Sequence, residues 1–128
     1  MRLLLDTHTL LWAAADDKRV PPRVYALLRG QENKLFLSAA SGWEIVIKHG
    51  TGRLHLPDTP GRFLRRCLDL FALEPISVTF EHTLRVETLP AHHRDPFDRI
   101  LIAQAHSEDL TILTNDKAFA NYPIATTW

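Results

Sequence analysis

The chain has 128 residues, which is enough for a hydrophobic core, and we expect residues 1–128 to form one domain. Fifteen basic residues balance fifteen acidic ones, which excludes a uniformly basic surface and makes any nucleic-acid contact local. The single cysteine, Cys67, excludes an internal disulfide framework. Asp6 interrupts the N-terminal apolar run before a signal peptide forms, and no run is as long as a membrane span, so we expect a cytoplasmic protein.

Short apolar runs alternate with segments of helical spacing along the whole chain. In chain order we predict a strand at residues 2–5, a helix at 8–15, a helix that starts at Pro21-Pro22 and ends at Gly30, a strand at 35–37, a helix at 39–49, a helix at 61–70, a strand at 75–78, a helix at 80–87, a helix at 96–108, a strand that ends at Asp116, a short helix to Phe119 and a last strand near Ile124. This alternation predicts an α/β sandwich around a mostly parallel sheet.

Two of the predicted strands end in an aspartate. Residues 2–5 lead into Asp6, and residues 110–115 lead into Asp116. The carboxyl ends of parallel strands meet at one edge of a sheet, where such folds bind ligands, so we expect both carboxylates at that edge. Clustered carboxylates repel one another unless a positive charge lies between them. A hard divalent cation, Mg²⁺ or Mn²⁺, is the natural partner of such a cluster.

Two acids near predicted helix starts are also open to a purely structural role. Asp6 is placed to cap the helix that follows it. Glu44 completes a capping box if its helix starts at Ser41, and it lies inside the helix if Ser38 is the cap. Its spacing from Lys48 fits an i,i+4 ion pair. The local pattern does not choose between these roles and membership of an acid cluster.

The segment Asp95-Pro96-Phe97-Asp98 has the pattern of a helix start. Asp95 fits the N-cap, Pro96 the first helical position and Asp98 the third position, in the favourable field of the helix N-terminus. This assignment explains Asp95 and leaves Asp98 free for a further role. Asp116 likewise fits the cap of the short helix after it. Each acid alone indicates little, and the joint placement of the acids favours a shared site.

Four segments form an ordered set of motifs along the chain. They are Leu4-Leu-Asp6-Thr-His-Thr-Leu-Leu-Trp12, Ser38-Ala-Ala-Ser-Gly-Trp-Glu44-Ile45, His93-Arg-Asp95-Pro-Phe-Asp98-Arg-Ile-Leu-Ile-Ala-Gln104 and Leu113-Thr-Asn-Asp116. Each segment alone is weakly specific, whereas the ordered set is strongly specific and covers essentially the whole chain. The set resembles the PIN-domain ribonucleases, most closely the VapC-type toxins of bacterial toxin–antitoxin pairs.

The resemblance implies a PIN-like α/β/α sandwich and a metal site formed by Asp6, Glu44, Asp98 and Asp116. It also implies cleavage of RNA with Mg²⁺ or Mn²⁺, a homodimer, and inhibition by a cognate antitoxin protein. All four acids stand where the family's motifs have them. Asp95 is an additional acid, typical of members with an Asp-Pro-Phe-Asp sequence, and we assign it to the periphery of the site.

Hydrolysis of a phosphodiester adds negative charge to a group that is already anionic. A bound Mg²⁺ neutralises this charge and lowers the pKa of a bound water. We expect Asp6, Asp98 and Asp116 to bind the ion directly or through water. Glu44 has a longer side chain, and we expect it to complete the shell or to orient the water.

Five other polar residues have both a functional and a structural interpretation. Thr114 either hydrogen-bonds the acids or is only a strand residue, and Arg99 either contacts phosphate or forms a surface ion pair. His92 and His93 precede the acid pair and are placed to touch RNA, but the histidines form no transition-metal motif, so we favour solvent exposure. Cys67 has no evident base beside it, and we expect it in the core.

Two alternative functions come from other classes of protein. A haloacid-dehalogenase-like phosphatase also begins with an aspartate after its first strand, but it needs a second aspartate two positions after Asp6, where this chain has His8. A non-catalytic binding module is the other alternative, with Trp12, Trp43 and Phe63 lining an apolar groove for a partner helix. A core position is the competing interpretation for each of these three aromatic residues.

Overall fold

Five strands and six α-helices make up the protein, in a computed structural model that describes residues 1–128. In chain order the elements are β1 (Arg2–Leu5), α1 (Thr7–Ala14), α2 (Pro22–Arg29), β2 (Lys34–Ser38), α3 (Ala39–Gly50), α4 (Pro60–Leu70), β3 (Leu73–Ile76), α5 (Phe80–Val86), α6 (Pro96–Glu108), β4 (Thr111–Leu113), a 3₁₀-helix (Lys117–Asn121) and β5 (Thr126–Thr127). The predicted α/β class is confirmed. None of the helices has the length and apolar character needed to cross a bilayer.

The sheet is parallel throughout, with the strand order β3-β2-β1-β4-β5. β1 is the central strand, and its Leu4 pairs with Phe36 of β2 on one side and with Ile112 of β4 on the other. Because all strands run in one direction, their carboxyl ends share one edge. The residues that follow β1 and β4 therefore lie side by side, although more than a hundred positions separate them in sequence.

Alternate strand residues face opposite sides of the sheet, and each side is covered by its own helices. Leu3 and Leu5 pack with α1, α2, α3 and α4, whereas Leu4 packs with α6 and the 3₁₀-helix. Full burial of one leucine contributes roughly 1.5–3 kcal/mol, and a slip of one residue would exchange the two faces. This two-sided burial explains the continuous apolar runs in the sequence. Cys67 lies in the first of these cores, as expected.

The helix α3 begins directly after β2 because the Ser38 side chain caps it. Ser38 Oγ accepts a hydrogen bond from the backbone N–H of Ala40 at 3.0 Å. The alternative start at Ser41 is therefore wrong, and the Ser41 hydroxyl is instead buried, where it accepts a hydrogen bond from Thr7 at 2.9 Å. Glu44 consequently lies in the second turn of α3, and its side chain is buried.

The strand β3 lies at Leu73–Ile76 instead of the predicted 75–78. Leu73 is buried in the core and pairs with Leu35 of β2, so the strand starts two residues earlier than predicted. Pro75 stays within the strand because β3 is at the edge of the sheet, where a missing N–H costs little. Sequence alone does not reveal which strand is at the edge.

The two strands nearest the C-terminus also differ from the prediction. β4 is shorter than the apolar run 110–115, and β5 lies beyond Ile124. Their positions depend on hydrogen bonds between them, such as that from Ile112 N to Ala125 O at 2.9 Å. Pairing with a neighbouring strand, which local sequence does not report, sets both ends.

Candidate active site at the carboxyl ends of the strands

The structure brings together four acids predicted from sequence, Asp6, Glu44, Asp98 and Asp116. Asp6 follows β1 and Asp116 follows β4, while Glu44 comes from α3 and Asp98 from the first turn of α6. Burial raises the pKa of Asp98 to about 8, assisted by the negative charges of Asp6, Asp95, Glu44 and Asp116. All four acids therefore lie within electrostatic range of one another at this edge of the sheet.

Asp6 is 3% exposed, and the residue Thr114 holds its carboxylate. Thr114 Oγ1 donates a hydrogen bond to Asp6 Oδ2 at 2.8 Å and accepts one from the backbone N–H of Asp116 at 3.0 Å. Burial raises the pKa of Asp6, and this hydrogen bond partly opposes the rise. The Asp6 side chain makes no capping hydrogen bond to α1, so the alternative interpretation of Asp6 as a helix cap is wrong. Thr114 therefore belongs to the acid cluster.

Glu44 is 2% exposed and forms the predicted i,i+4 ion pair. Lys48 Nζ donates to Glu44 Oε2 at 2.6 Å. A buried carboxylate without a partner is strongly unfavourable, and Lys48 supplies one counter-charge. Glu44 Oε1 and Asp6 Oδ1 are buried and have no hydrogen-bond partner. Two carboxylate oxygens of the cluster thus remain free to bind.

His93 also lies in the acid cluster, which the sequence did not predict. Its Nε2 lies 2.7 Å from Asp98 Oδ2 and 4.0 Å from Asp116 Oδ2, and the side chain is 20% exposed. The expectation of solvent exposure is thus wrong for His93, whereas His92 is exposed. Ligand atoms of His93, Asp98 and Asp116 all lie within 4.8 Å of one another, so three potential metal-binding groups meet at this point of the site.

Long-range hydrogen bonds hold the irregular segment 87–95, which carries His93. Arg99 Nη1 donates to Pro90 O at 2.9 Å, and its Nη2 donates to Val86 O at 3.2 Å. The Tyr122 hydroxyl accepts from the backbone N–H of His93 at 2.7 Å. Arg99 therefore binds backbone carbonyls, and the surface ion pair considered as one alternative for it is wrong. Because both of its terminal guanidinium nitrogens donate to these carbonyls, we assign Arg99 no phosphate contact.

Asp95 caps α6, as predicted. Its Oδ1 accepts hydrogen bonds from the backbone N–H groups of Phe97 at 2.8 Å and Asp98 at 3.2 Å. Both of these donors would otherwise lack a partner at the start of the helix. The cap also orients the first turn of α6, which carries Asp98.

We expect Asp95→Asn to change the free energy of unfolding by less than about 0.5 kcal/mol, because asparagine is an equally good N-cap. Asp95→Ala should destabilise the protein by about 0.5–2 kcal/mol, because the two N–H groups lose their acceptor. Urea denaturation of both variants in chelator measures the difference. Equal losses for the two substitutions would show that Asp95 acts through its charge and not as a cap.

The three aromatic residues proposed for one partner groove occupy different surroundings. Phe63 is buried in the core, which is the alternative to a groove position. Trp12 is half-buried, and its ring packs edge-on to Trp128. Phe63 and Trp12 line a cavity of about 490 Å³. Trp43 is 63% exposed and packs edge-on to Phe97 beside a separate cavity. A single groove formed by all three is therefore wrong.

Comparison with known families assigns the fold. A family model described as PIN domain matches residues 3–125. The chain belongs to the PIN domain family. Both strand-end aspartates and the helix acids of this PIN domain lie within the matched range. Among curated proteins, none matches the chain.

Several solved structures share the fold of this PIN domain. A VapBC2 complex from Rickettsia felis bound to a promoter DNA fragment contains a similar chain, with 19% identity, a TM-score of 0.75, and coverage of 100% of this chain and 99% of that one. A DNA-bound VapBC from Salmonella typhimurium has 18% identity, a TM-score of 0.68, and coverage of 99% and 97%. FitAcB from Neisseria gonorrhoeae has 20% identity, a TM-score of 0.65, and coverage of 98% and 96%. At these identities the likeness establishes the fold.

Proposed function

We propose that residues 1–128 form a single PIN domain that hydrolyses RNA phosphodiesters with a divalent cation, Mg²⁺ or Mn²⁺, held by Asp6, Glu44, Asp98 and Asp116. The observation that carries this proposal is the pair of buried carboxylate oxygens without a hydrogen-bond partner, Asp6 Oδ1 and Glu44 Oε1. A buried polar atom without a partner is unfavourable, and a cation bound at this edge would compensate the negative charge of both carboxylates. Carboxylate oxygens are also the donors that Mg²⁺ and Mn²⁺ prefer, so these residues fit such an ion.

The charge balance of the site supports the same proposal. Four carboxylates share this edge, and Lys48 is bonded to only one of them. The raised pKa of Asp98 reflects its burial and, in addition, the crowding of negative charge around it. A cation removes this crowding, so metal binding should release protons from the site.

Each side chain has a distinct task in the proposed reaction. When bound, the cation would neutralise charge on the phosphate and lower the pKa of the attacking water. Asp6, Asp98 and Asp116 would hold the ion, and Thr114 fixes the orientation of the Asp6 carboxylate through its hydrogen bond. Lys48 occupies one oxygen of Glu44, which leaves Oε1 to complete the shell of the ion or to orient the attacking water.

The phosphatase alternative lacks its second acid. The residue two positions after Asp6 is His8, whose ring packs against Trp12 at a centroid distance of 5.7 Å. An imidazole at this position does not replace the carboxyl group that such a phosphatase uses as its acid and base. Membership of the PIN family also favours the nuclease.

An assay of the purified protein tests the proposal against the phosphatase. RNA and p-nitrophenyl phosphate are each incubated with the protein in Mg²⁺, in Mn²⁺ and in excess EDTA. We expect internal cleavage of RNA in either metal, no cleavage in EDTA, and no release of nitrophenol. Full RNA cleavage in EDTA would reject the metal dependence, and release of nitrophenol alone would favour the phosphatase.

We further propose that the protein is the toxin of a toxin–antitoxin pair and acts in the cytoplasm. The fold is that of chains in VapBC and FitAcB complexes, which supports a protein partner. The cavity of about 490 Å³ adjoins the acids through Thr7 and Lys48 and has an apolar floor that includes Leu11, Leu56 and Phe63. An antitoxin segment in this cavity would reach the acid edge, where a basic side chain can pair with the carboxylates and displace the metal.

Expression of the protein alone should therefore arrest growth, and co-expression with the product of the neighbouring gene in its operon should restore growth. The physical reason is that a partner over the acid edge blocks both metal and RNA. Colony counts after induction measure the effect, with Asp6→Asn as the non-toxic control. Equal growth with and without the neighbour, at confirmed expression of active protein, would count against this partner.

We also propose a homodimer, formed across the face of α3, α5 and α6. This face exposes large apolar side chains, namely Trp43, Val46, Ile47, Phe80 and Leu84. The adjoining cavity of about 480 Å³ is walled almost entirely by apolar atoms of Trp43, Val78, Phe97 and Ile100, among others. Exposed apolar surface of this kind marks an interface, and a two-fold axis lets one patch cover its own copy.

Light scattering should show a dimer for the wild type and a monomer for Leu84→Asp, and a monomeric wild type would reject this interface.

A further inference from the structure

The Nε2 atom of His93 is buried against two carboxylates, yet it makes no hydrogen bond. It lies 2.7 Å from Asp98 Oδ2 and 4.0 Å from Asp116 Oδ2, but no N–H direction at Nε2 points well at either oxygen. A buried nitrogen without a partner is unfavourable. This nitrogen therefore lies beside two carboxylates without a hydrogen bond to either of them.

The surroundings of His93 hold its ring in this place. The Tyr122 hydroxyl accepts from its backbone N–H at 2.7 Å, and Arg99 donates to its carbonyl at 3.4 Å. The ring packs edge-on to Phe119, with 6.0 Å between the centroids. Side chains from α6, the 3₁₀-helix and the residue after it thus all fix one histidine. A side chain held by this many neighbours is typical of a residue that binds a ligand directly, and not of a surface residue.

We propose that Nε2 of His93 is a direct metal ligand, beside Asp98 and Asp116, and that this nitrogen shifts the preference of the site from Mg²⁺ towards Mn²⁺. This inference rests on the proposed metal site and adds to it a ligand of a different chemical class. The sequence motifs predicted a site with oxygen ligands only, and oxygen ligands alone do not favour Mn²⁺ over Mg²⁺ through a metal–nitrogen bond.

The spacing of the ligand atoms agrees with one shared ion. Two atoms that each lie about 2.1 Å from an ion are about 3 Å apart at a right angle and at most about 4.2 Å apart. The two distances from His93 Nε2, 2.7 and 4.0 Å, stay below that upper limit.

The opposite ring nitrogen has a contact that metal binding must replace. Nδ1 accepts a long hydrogen bond from the backbone N–H of Asp95, with 3.4 Å between the two nitrogens. When Nε2 binds a cation, the proton of the neutral ring moves to Nδ1, and this contact is lost. A hydrogen bond of that length contributes little compared with a metal–nitrogen bond, so the ligand role prevails.

The preference for Mn²⁺ follows from ligand chemistry. Mg²⁺ binds oxygen ligands almost exclusively and retains its waters, whereas imidazole binds first-row transition ions well. His93 therefore stabilises bound Mn²⁺ much more than bound Mg²⁺. The same reasoning makes the ratio of the two affinities, and not either affinity alone, the quantity that reports on His93.

Pulsed EPR of the wild-type protein with bound Mn²⁺ tests the ligand directly, without RNA and without turnover. We expect a ¹⁴N coupling from a directly bound imidazole, which disappears in His93→Ala and persists in the matched control His92→Ala. In titrations, His93→Ala should weaken Mn²⁺ binding about tenfold or more, as expected for loss of a ligand. Mg²⁺ binding, measured by competition, should change by less than about threefold, since little of its free energy comes from nitrogen.

The outcomes separate this inference from the metal site on which it rests. Bound Mn²⁺ that requires Asp98 but shows no ¹⁴N coupling would overturn the ligand role of His93 and leave the acid site standing. Absence of Mn²⁺ binding to the wild type would overturn both proposals. Full affinity of His93→Gln for Mn²⁺, without ¹⁴N coupling in the wild type, would show that His93 acts as an N–H donor. The wild-type spectrum decides the question even if a His93 variant does not fold.

Discussion

Asp6→Asn should abolish both the stabilisation of the protein by Mg²⁺ or Mn²⁺ and the cleavage of RNA. Asp6 is the most central acid, since it follows the middle strand and Thr114 fixes its carboxylate. A metal at a hundred times its Kd stabilises the folded state by about 2.7 kcal/mol. For a domain of this size this corresponds to a rise of roughly 10 °C in Tm. Thermal melts with metal and with chelator, beside RNA cleavage assays, measure both losses.

The same substitution should leave the metal-free protein folded. Asparagine retains an oxygen that can accept from Thr114, and it removes one negative charge from the cluster, so the melting temperature in EDTA should hold or rise. Asp69→Asn is a matched control, because Asp69 is exposed on α4. This control should keep the full metal-induced shift in Tm. A normal shift in Asp6→Asn would remove Asp6 from the metal site.

The meeting of Asp6 and Asp116 at one edge of the sheet was predictable from sequence, because the carboxyl ends of parallel strands lie at the same edge. Once residues 2–5 and 110–115 are taken as parallel strands, Asp6 and Asp116 must lie at the same edge. The start of α6 was equally predictable, since Asp95 and Pro96 together define a helix N-terminus and the helix begins where they place it. In both cases residues that are adjacent in sequence determine the feature, so the local pattern is sufficient to predict it.

His93 and Arg99 show where local pattern is insufficient. The segment 87–95 has no regular structure, and its path depends on hydrogen bonds that Arg99 donates to it and that the Tyr122 hydroxyl, about thirty positions away, accepts from it. No periodicity within the segment reports these contacts. The neighbouring pair His92 and His93 therefore looked equivalent in sequence, although the fold buries Nε2 of one and exposes the other.

Roles that had two competing interpretations were decided by geometry. Glu44 was open to capping, to ion pairing and to the acid cluster, and the structure assigns it both of the last two. Thr114 was equally open, and its hydroxyl bonds to Asp6. For Glu44 the decisive fact is the cap at Ser38, which sets the start of α3 and therefore the direction in which its side chain points.

The metal-free protein should lose stability as the pH rises from about 4 to about 8. The pKa of Asp98 is about 8 in the folded state because of burial and neighbouring acids, against an ordinary value of 3.8. Between these values the folded protein holds a proton that the unfolded chain has released. This contribution is fully present below the unfolded pKa and is lost as the pH rises through the folded pKa. The raised pKa of Asp6 acts in the same direction.

Asp98→Asn should flatten this dependence and abolish RNA cleavage, because it removes the titrating carboxyl group and a metal ligand together. In EDTA the variant should be more stable than the wild type at pH 8, where repulsion among the acids is greatest. Loss of a charge at the start of α6 opposes the gain by roughly 0.3–1 kcal/mol. That opposing effect is small below pH 8, since the wild-type carboxyl group is then largely protonated. Urea denaturation between pH 5 and pH 8 measures the slope.

Asp95→Asn is the matched control for Asp98→Asn, because the two acids lie one helical turn apart and only Asp95 caps the helix. It should keep most of the stability and at least part of the cleavage activity, since the cap is retained and the proposed ligands are unchanged. Both variants are compared in the same cleavage assay in Mg²⁺ and Mn²⁺. An active Asp98→Asn beside an inactive but folded Asp95→Asn would transfer the metal-binding role to Asp95, and the buried contact between His93 and Asp98 would then need another explanation.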